Sequence, residues 1–322
     1  MTKPLAIVTR RWPTAVEARL ADAFDVRLNA DDRPFSADEL RAALNEADAL
    51  CATVTDELSA QVLEAGGRTR IIANFGVGVN HIDLDAARAQ GIAVTNTPDV
   101  LTECTADLAM ALLLMSARRA GKGERELRAG RWSGWRPTHL TGARVWGKVL
   151  GIVGMGRIGI AMARRAHHGF GMRILCFNRS RVPGAMLRDL AAEQVGSLDE
   201  LLPRVDFLSL HCPANPESQH LIDAESLARM RSGAHLINTA RGSVVDEAAL
   251  AEAVRLGVIA GAGLDVYESE PKVHPGLLAL DNVVLLPHLG SGTDATREAM
   301  GMRVLDNLKA FFAGEKPPDL CL

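Results

Sequence analysis

Short apolar runs alternate with amphipathic stretches along nearly the whole chain. Runs at 5–9, 26–28, 49–53, 71–75 and 93–95 carry few charges and have the length of strands. Between them, residues 14–23, 37–47, 59–65 and 84–90 repeat apolar positions at the period of a helix face. Strands that read as unbroken apolar runs are buried on both faces, so the pattern predicts a parallel sheet covered by helices. A long helix, apolar on more than one face, is predicted from 101 to about 120, followed by a looser segment at 121–134. The strand pattern restarts at 149–153 and continues at 173–177, 205–211, 235–239, 258–264 and 283–286. Helices are predicted at 160–168, 197–202, 224–230, 247–256 and 293–312, and Lys316-Pro317-Pro318 ends the regular structure. The chain thus reads as two α/β units with no obvious sequence repeat. The pattern does not decide which unit the last helix joins.

At 322 residues the chain can bury two cores. Its net charge of −3 gives no basic excess to argue for a nucleic-acid partner. The five cysteines (Cys51, Cys104, Cys176, Cys212 and Cys321) form no CxxC pair and have no histidine set beside them. They predict reduced, mostly buried thiols of a cytoplasmic protein, with no disulfide framework and no metal site. No charged segment followed by an apolar core opens the chain, and the most apolar stretch, 108–115, is too short to span a bilayer.

One loop carries a specific chemistry. Gly154-Met155-Gly156-Arg157-Ile158-Gly159 follows the 149–153 strand and opens a helix. Strand, GxGxxG and helix in that order form a dinucleotide-binding fingerprint, in which free N–H groups at the helix start hold a pyrophosphate. An acid for the ribose 2′-hydroxyl usually follows about 20 residues on. Here the next strand ends in Asn178-Arg179-Ser180-Arg181. Two arginines and a hydroxyl suit a 2′-phosphate, although Arg179 and Arg181 also read as solvated loop charges.

Four further segments place polar residues just past strand ends, where open α/β sheets bind ligands. Around Gly76-Val77-Gly78, successive N–H groups can turn towards one point, a nest for a carboxylate or a plain turn. Arg241 in Thr239-Ala240-Arg241-Gly242 can grip a carboxylate with two hydrogen bonds, or be a surface charge. Asp265-Val266-Tyr267-Glu268-Ser269-Glu270-Pro271 holds three acids in six residues and, taken singly, each reads as solvated. His288, after Pro287 and before Gly290, is an acid–base candidate because the arginine and the glutamates are similarly placed. Cys212-Pro213 at another strand end reads as site lining or, more often, as simple packing.

In order and spacing, Gly154 to Gly159, Thr239 to Gly242, Asp265 to Pro271 and Pro287-His288 closely resemble the D-isomer-specific 2-hydroxyacid dehydrogenase family, and the resemblance covers essentially the whole chain. Gly130-Arg131-Trp132-Ser133-Gly134-Trp135-Arg136-Pro137 and Asn178-Arg179-Ser180 are similar to its glyoxylate/hydroxypyruvate reductase branch. His167-His168 makes the helix after the glycine loop about one residue long against the fingerprint spacing. The resemblance implies catalysis by Arg241, Glu270 and His288. Arg241 would bind the substrate carboxylate and polarise the keto group. His288 would be the general acid in reduction, held by Glu270, with Glu268 outside the matched position. Val77 and Gly78 would offer N–H groups to the carboxylate, and Trp135 would reach a substrate pocket, its own or the partner subunit's. Cofactor contacts are implied at Thr105, Gly154, Gly156, Arg157, Ile158, Gly159, Asn178, Arg179, Ser180, Cys212, Pro213, Thr239, Ala240, Asp265, His288 and Gly290. Asp265 would orient the nicotinamide amide and Thr105 would touch a phosphate.

The implied architecture is two Rossmann-like or flavodoxin-like parallel-sheet domains. A dinucleotide-binding domain at 101–291 is inserted in a discontinuous substrate domain, 1–100 and 292–322. Two chain crossings, near Leu101 and Ser291, imply hinge closure on the substrate. The 101–120 helix is expected to support a homodimer. The expected activity is NADPH-preferring reduction of small 2-keto acids, glyoxylate and hydroxypyruvate first, with NAD as the second cofactor and no metal. Two tryptophans near the pocket favour a small or hydroxylated substrate. A 2-ketogluconate reductase would share every catalytic residue. A phosphoglycerate dehydrogenase fits less well, since it often carries a further regulatory domain. A dinucleotide-sensing corepressor is the rival from another class.

Overall fold

The computed structural model describes residues 2–64 and 67–322, which divide into two compact units. The first spans Met1–Leu101 and Ser291–Leu322, the second Thr102–Gly290.

The first unit is a five-stranded parallel sheet. Its strands are β1 (Leu5–Val8), β2 (Asp25–Leu28), β3 (Ala49–Ala52), β4 (Ile71–Asn74) and β5 (Ala93–Thr95), in the order β2-β1-β3-β4-β5. Helices α1 (Thr14–Ala23), α2 (Ala37–Glu46), α3 (Ala60–Leu63) and α4 (Leu84–Ala89) connect them. The end of the predicted 59–65 helix, Ala65, lies outside the described residues. Period-two alternation sends Ile7, Leu50 and Ile72 into one core and Val8, Cys51 and Ile71 into the other. The C-terminal helix, Asp294–Phe312, packs on α1 and β4 through Val304, Leu305 and Leu308, so it belongs to this unit. Regular pairing continues past the two prolines: Leu320 bridges antiparallel to Thr95, and Asp319 is held by Arg303 and Asn307.

The second unit opens with α5 (Thr102–Ala117) and α6 (Ala120–Arg128). Its strands and helices then alternate as β6 (Val149–Val153), α7 (Arg157–Arg164), β7 (Arg173–Phe177), α8 (Gly184–Asp189), β8 (Ala192–Gln194), α9 (Leu198–Leu201) and β9 (Phe207–Leu210). They continue as α10 (Ala224–Arg229), β10 (His235–Asn238), α11 (Glu247–Arg255), β11 (Gly261–Leu264), α12 (Pro275–Leu278) and β12 (Val283–Leu285). All seven strands are parallel, in the order β12-β11-β10-β9-β6-β7-β8. The strand order reverses between β6 and β9, the topological switch point at which such sheets bind dinucleotides.

Several elements depart from the sequence pattern. Residues 120–128 are helical rather than loose. Two glycines weaken the intrinsic tendency, but Lys122 and Arg125 pair with Asp281 and anchor the turn. Strand β8 (Ala-Glu-Gln) and helices α8 and α12 are too short to show a period. In α5, expected to support a dimer, one face is buried within the unit, Ala109, Leu112 and Leu113 packing against α7, β10 and β11, while Leu108, Ala111 and Met115 stay partly exposed. The helix after the glycine loop starts at Arg157 and ends in one π-helical turn, Arg165–Gly169. A π turn accommodates one extra residue, and it contains His167-His168, so β7 stays in register with β6. Among the described residues no helix is long and apolar enough to cross a membrane, and no cluster of His, Cys, Asp or Glu could hold a metal ion.

Candidate active site

The second unit gathers its candidate residues on loops at the carboxyl ends of its strands. Gly154 follows β6, Cys212 and Pro213 follow β9, Thr239 follows β10, Asp265 follows β11 and His288 follows β12.

Backbone crowding shapes the glycine loop. Gly154 has φ +94°, and a Cβ there would lie 2.7 Å from the Cys212 nitrogen. A Cβ on Gly159 would meet the Gly154 carbonyl oxygen at 2.1 Å. Gly156, the N-cap of α7, has nothing within 4 Å of the same point. Two glycines therefore pack the loop, and the middle one leaves an open face at a helix start, beside Arg157 and Ile158. Thr239 Oγ1 is buried with no hydrogen-bond partner among the described residues. An open N–H cradle and an unsatisfied hydroxyl on the same strand edge fit a dinucleotide. Burial pushes the Cys212 thiol up to about 11, which makes it a neutral wall rather than a nucleophile.

Asn178 directly follows Phe177, which pairs with Val153 just before the loop. Its Oδ1 accepts from the Met155 N–H at 3.0 Å, and its Nδ2 donates to Ser180 O and Oγ at 2.9 and 3.0 Å. Asn178 thus ties the glycine loop to the 178–181 turn. Arg179 pairs with Glu217 at 2.9 Å, both side chains more than 70% exposed at 79% and 73%. Gln194 on β8 braces the turn, donating to Ser180 O and accepting from Val182.

His288 Nδ1 donates to Glu270 Oε2 at 2.8 Å, and Glu270 Oε1 accepts from the Tyr267 N–H at 3.0 Å. Burial opposes ionisation of Glu270. The bond from His288, the Tyr267 N–H and the charge of Arg241 outweigh it, holding the carboxyl below its usual range. His288 has left-handed backbone, φ +54°. Asp265 fixes that turn: its main-chain oxygen accepts from His288 N–H, and its carboxylate accepts from Leu289 and Gly290 N–H at 2.7 and 2.8 Å. Burial raises the Asp265 carboxyl despite those bonds. Thr105 Oγ1 donates to the Gly290 carbonyl at 3.1 Å, a second tie on the same turn.

Arg241 emerges where β10 ends. Asn238 shapes the turn, accepting from the Ala240 N–H and donating to the Arg241 carbonyl. Burial lowers the guanidinium pKa, and Glu270 opposes that shift. Arginine stays charged through such a shift. Trp135 lies on the loop after α6, 83% exposed.

In the first unit the Val77-Gly78 turn is pinned by its carbonyls. Asn74 Nδ2 donates to Gly76 O and Gly78 O, and Asn96 Nδ2 donates to Val77 O at 2.8 Å. No hydrogen bond among the described residues takes the N–H of Val77 or Gly78. Fixed carbonyls with uncommitted N–H groups make an anion nest. Of the four side-chain amides at 74, 96, 194 and 238, the sequence places Asn74 and Asn238 at the head of two candidate segments without a role, and does not single out Asn96 or Gln194. Asn74 and Asn238 carried a local signal, an amide at a strand end that can bond its own turn. Asn96 and Gln194 act on distant segments and carried none.

The profile for the D-isomer specific 2-hydroxyacid dehydrogenase NAD binding domain matches residues 110–290. The glyoxylate reductase of Thermococcus onnurineus (strain NA1) is 45% identical over 322 residues, covering 99% of this chain and 96% of the relative. That of Korarchaeum cryptofilum (strain OPF8) is 46% identical over 321 residues, with the same coverage. The NADPH-dependent glyoxylate/hydroxypyruvate reductase of Sinorhizobium meliloti, solved in complex with NADP and malonate, superposes with a TM-score of 0.89 at 37% identity, over 99% of this chain and 97% of that one. A fold, a fingerprint and full-length relatives therefore agree: the chain belongs to the D-isomer-specific 2-hydroxyacid dehydrogenase family and is an NAD(P)-dependent oxidoreductase.

Proposed function

We propose that the protein is an NADPH-preferring reductase of small 2-keto acids, glyoxylate and hydroxypyruvate first, forming D-2-hydroxy acids. The observation that carries this reading is the 2.8 Å His288–Glu270 pair on the same strand edge as Arg241 and the glycine loop. The names of the relatives support glyoxylate, and that of the S. meliloti enzyme supports hydroxypyruvate and NADPH for that protein.

The dinucleotide, when bound, supplies the hydride. Gly154, Gly156, Arg157, Ile158 and Gly159 hold its pyrophosphate, Thr239 Oγ1 and Ala240 line it, and Cys212 and Pro213 wall it. Asp265 serves the nicotinamide amide and, through Gly290, holds the His288 turn. Arg241 binds the substrate carboxylate and stabilises charge developing on the keto oxygen without moving a proton. Val77 and Gly78 N–H groups are further carboxylate donors, and Trp135 serves substrate selection. His288 gives the proton at Nε2 to the keto oxygen, while Glu270 accepts from Nδ1–H and fixes the orientation of the ring.

The cofactor preference is read from the turn after β7. It offers no acid for a ribose hydroxyl, and Asn178 is engaged with the glycine loop. Exposed ion pairs such as Arg179–Glu217 contribute only about 0–1 kcal/mol, so Arg179 is cheaply redirected to a 2′-phosphate, with Ser180 beside it. Arg179→Ala is expected to raise KM for NADPH by about tenfold and leave KM for NADH nearly unchanged, as the loss of one charge-assisted contact requires. Equal effects on both cofactors would remove Arg179 from phosphate recognition.

We propose a homodimer supported by α5, whose Leu108, Ala111 and Met115 stay partly exposed, together with the exposed Leu127, Trp132 and Trp135. Five free cysteines suit the reducing cytoplasm. The test of the whole reading is a panel of keto acids assayed with both cofactors. NADPH oxidation with glyoxylate and hydroxypyruvate exceeding that with 2-ketogluconate is the expected result. No turnover with any small 2-keto acid would sink it.

A further inference from the structure

We infer that His220 is a positioning residue that fixes the Arg241 segment against the loop carrying Glu270, an inference that rests on the roles proposed for those two residues. His220 lies between β9 and α10 and touches neither Arg241 nor His288 through any described bond. Its N–H donates to Ser243 O at 2.8 Å, two residues beyond Arg241. Its Nε2 donates to Glu268 Oε1 at 2.5 Å, two residues before Glu270. One side chain and its own backbone thus bracket both catalytic segments. The bracket continues in a short parallel pairing: Ile222 N–H donates to Val244 O and Asp246 N–H to Ile222 O, each at 3.0 Å.

Glu268 is in turn locked to α11. Glu247 N–H donates to Glu268 Oε2 at 3.1 Å, and Glu268 N–H donates to Glu247 Oε1 at 2.7 Å. Glu247 Oε2 also accepts from His274 N–H at 3.2 Å. Glu247 is only 5% exposed, and a buried carboxylate is tolerated where N–H groups satisfy it. The 268–274 loop is therefore clasped at both ends, by Glu268 and by Glu247. Beneath it, a Cβ on Gly242 would lie 1.9 Å from the Tyr267 carbonyl carbon, so the arginine segment and the loop are in backbone contact that only glycine permits.

His220 has left-handed backbone, φ +47°, and its side chain is 41% exposed in the pair with Glu268. An ion pair this exposed adds little to stability. Its consequence is geometric, since it sets where Glu270, and through it His288, sits relative to Arg241.

The test compares His220→Ala, His220→Gln and Glu268→Ala in the full-length enzyme, with Arg241→Ala in parallel. Turnover is counted per cofactor site by fluorescence titration, so a partly unfolded variant is still readable. His220→Ala is expected to lower kcat about tenfold while cofactor Kd stays within about twofold, as small misplacements of catalytic groups cost rate rather than binding. Glu268→Ala should lower kcat similarly, because it removes both acceptors, and His220→Gln, which keeps an N–H donor, should recover most of the rate. If His220→Ala keeps parental kcat per site while Arg241→Ala is inactive, the positioning role fails and the reading of Arg241 stands. If His220→Gln is as slow as His220→Ala, the hydrogen bond is not the cause and the inference fails. If Arg241→Ala is itself active, the underlying reading falls and the inference with it.

Discussion

His288→Ala is expected to lower kcat by roughly 10²–10⁴-fold, the range for loss of a positioned general acid. Cofactor affinity should persist, because the glycine loop, Asn178 and Asp265 keep their bonds without the imidazole. The backbone complicates the variant in a readable way. Residue 288 holds φ +54°, where a β-carbon costs about 1–2 kcal/mol that alanine cannot offset. His288→Asn, which tolerates that region, should be as slow as alanine but melt higher. A second consequence falls on Glu270. In the parent its pKa lies below 4.5, because the His288 bond, the Tyr267 N–H and Arg241 outweigh burial. A carboxyl depressed in the folded state contributes stability above its unfolded pKa and loses it as pH falls through the folded value. Without His288 that depression shrinks, so the acid midpoint of unfolding should move up, towards the usual carboxylate range. Steady-state rates and melting curves against pH check both. Near-parental kcat would remove His288 from the acid role.

The strand-end positions of Arg241, Glu270 and His288 were legible because each follows an apolar run, and buried parallel strands announce themselves by unbroken hydrophobicity. The two sheets were legible for the same reason, the final helix from its own helical stretch and the glycine loop from GxGxxG between a strand and a helix. What holds those residues at working distances was not. Glu247, Glu268 and His220 come from three segments, and no local period marks a side chain that bonds a group 20 to 50 residues away. Asp265 looked like one acid in an acidic loop, yet it is 1% exposed and fixes the histidine turn. Helix α6 was missed because its support, Asp281, lies far along the chain. The apolar excess of α5 serves in part to cover the unit's own sheet, through Ala109, Leu112 and Leu113. The doubled histidine at 167–168 raised a question of register that the π turn answers, since β7 pairs with β6 in full and Asn178 faces the glycine loop.

Arg241→Ala is expected to lower kcat/KM by roughly 10³-fold for keto acids, with KM raised and kcat lowered together. The guanidinium is asked to do two things, grip a carboxylate in the ground state and stabilise oxygen charge as hydride arrives. Loss of the first raises KM, and loss of the second lowers kcat. Arg241→Lys keeps a charge but not the planar fork, so it should recover less than about a tenth of the lost efficiency. The fold should tolerate both variants. The turn is held by Asn238 and by the contact of Gly242 with Tyr267, and the arginine side chain adds a bond from Nη1 to the neighbouring Ala240 carbonyl at 2.7 Å. A keto substrate lacking the carboxylate separates the two roles. With it, parent and Arg241→Ala should show similar KM, while kcat still differs because the oxygen contact remains. An unchanged dependence on keto-acid concentration in Arg241→Ala would refute the carboxylate clamp. Equal kcat on the carboxylate-free ketone would instead confine Arg241 to binding and leave His288 as the sole group acting on the keto oxygen.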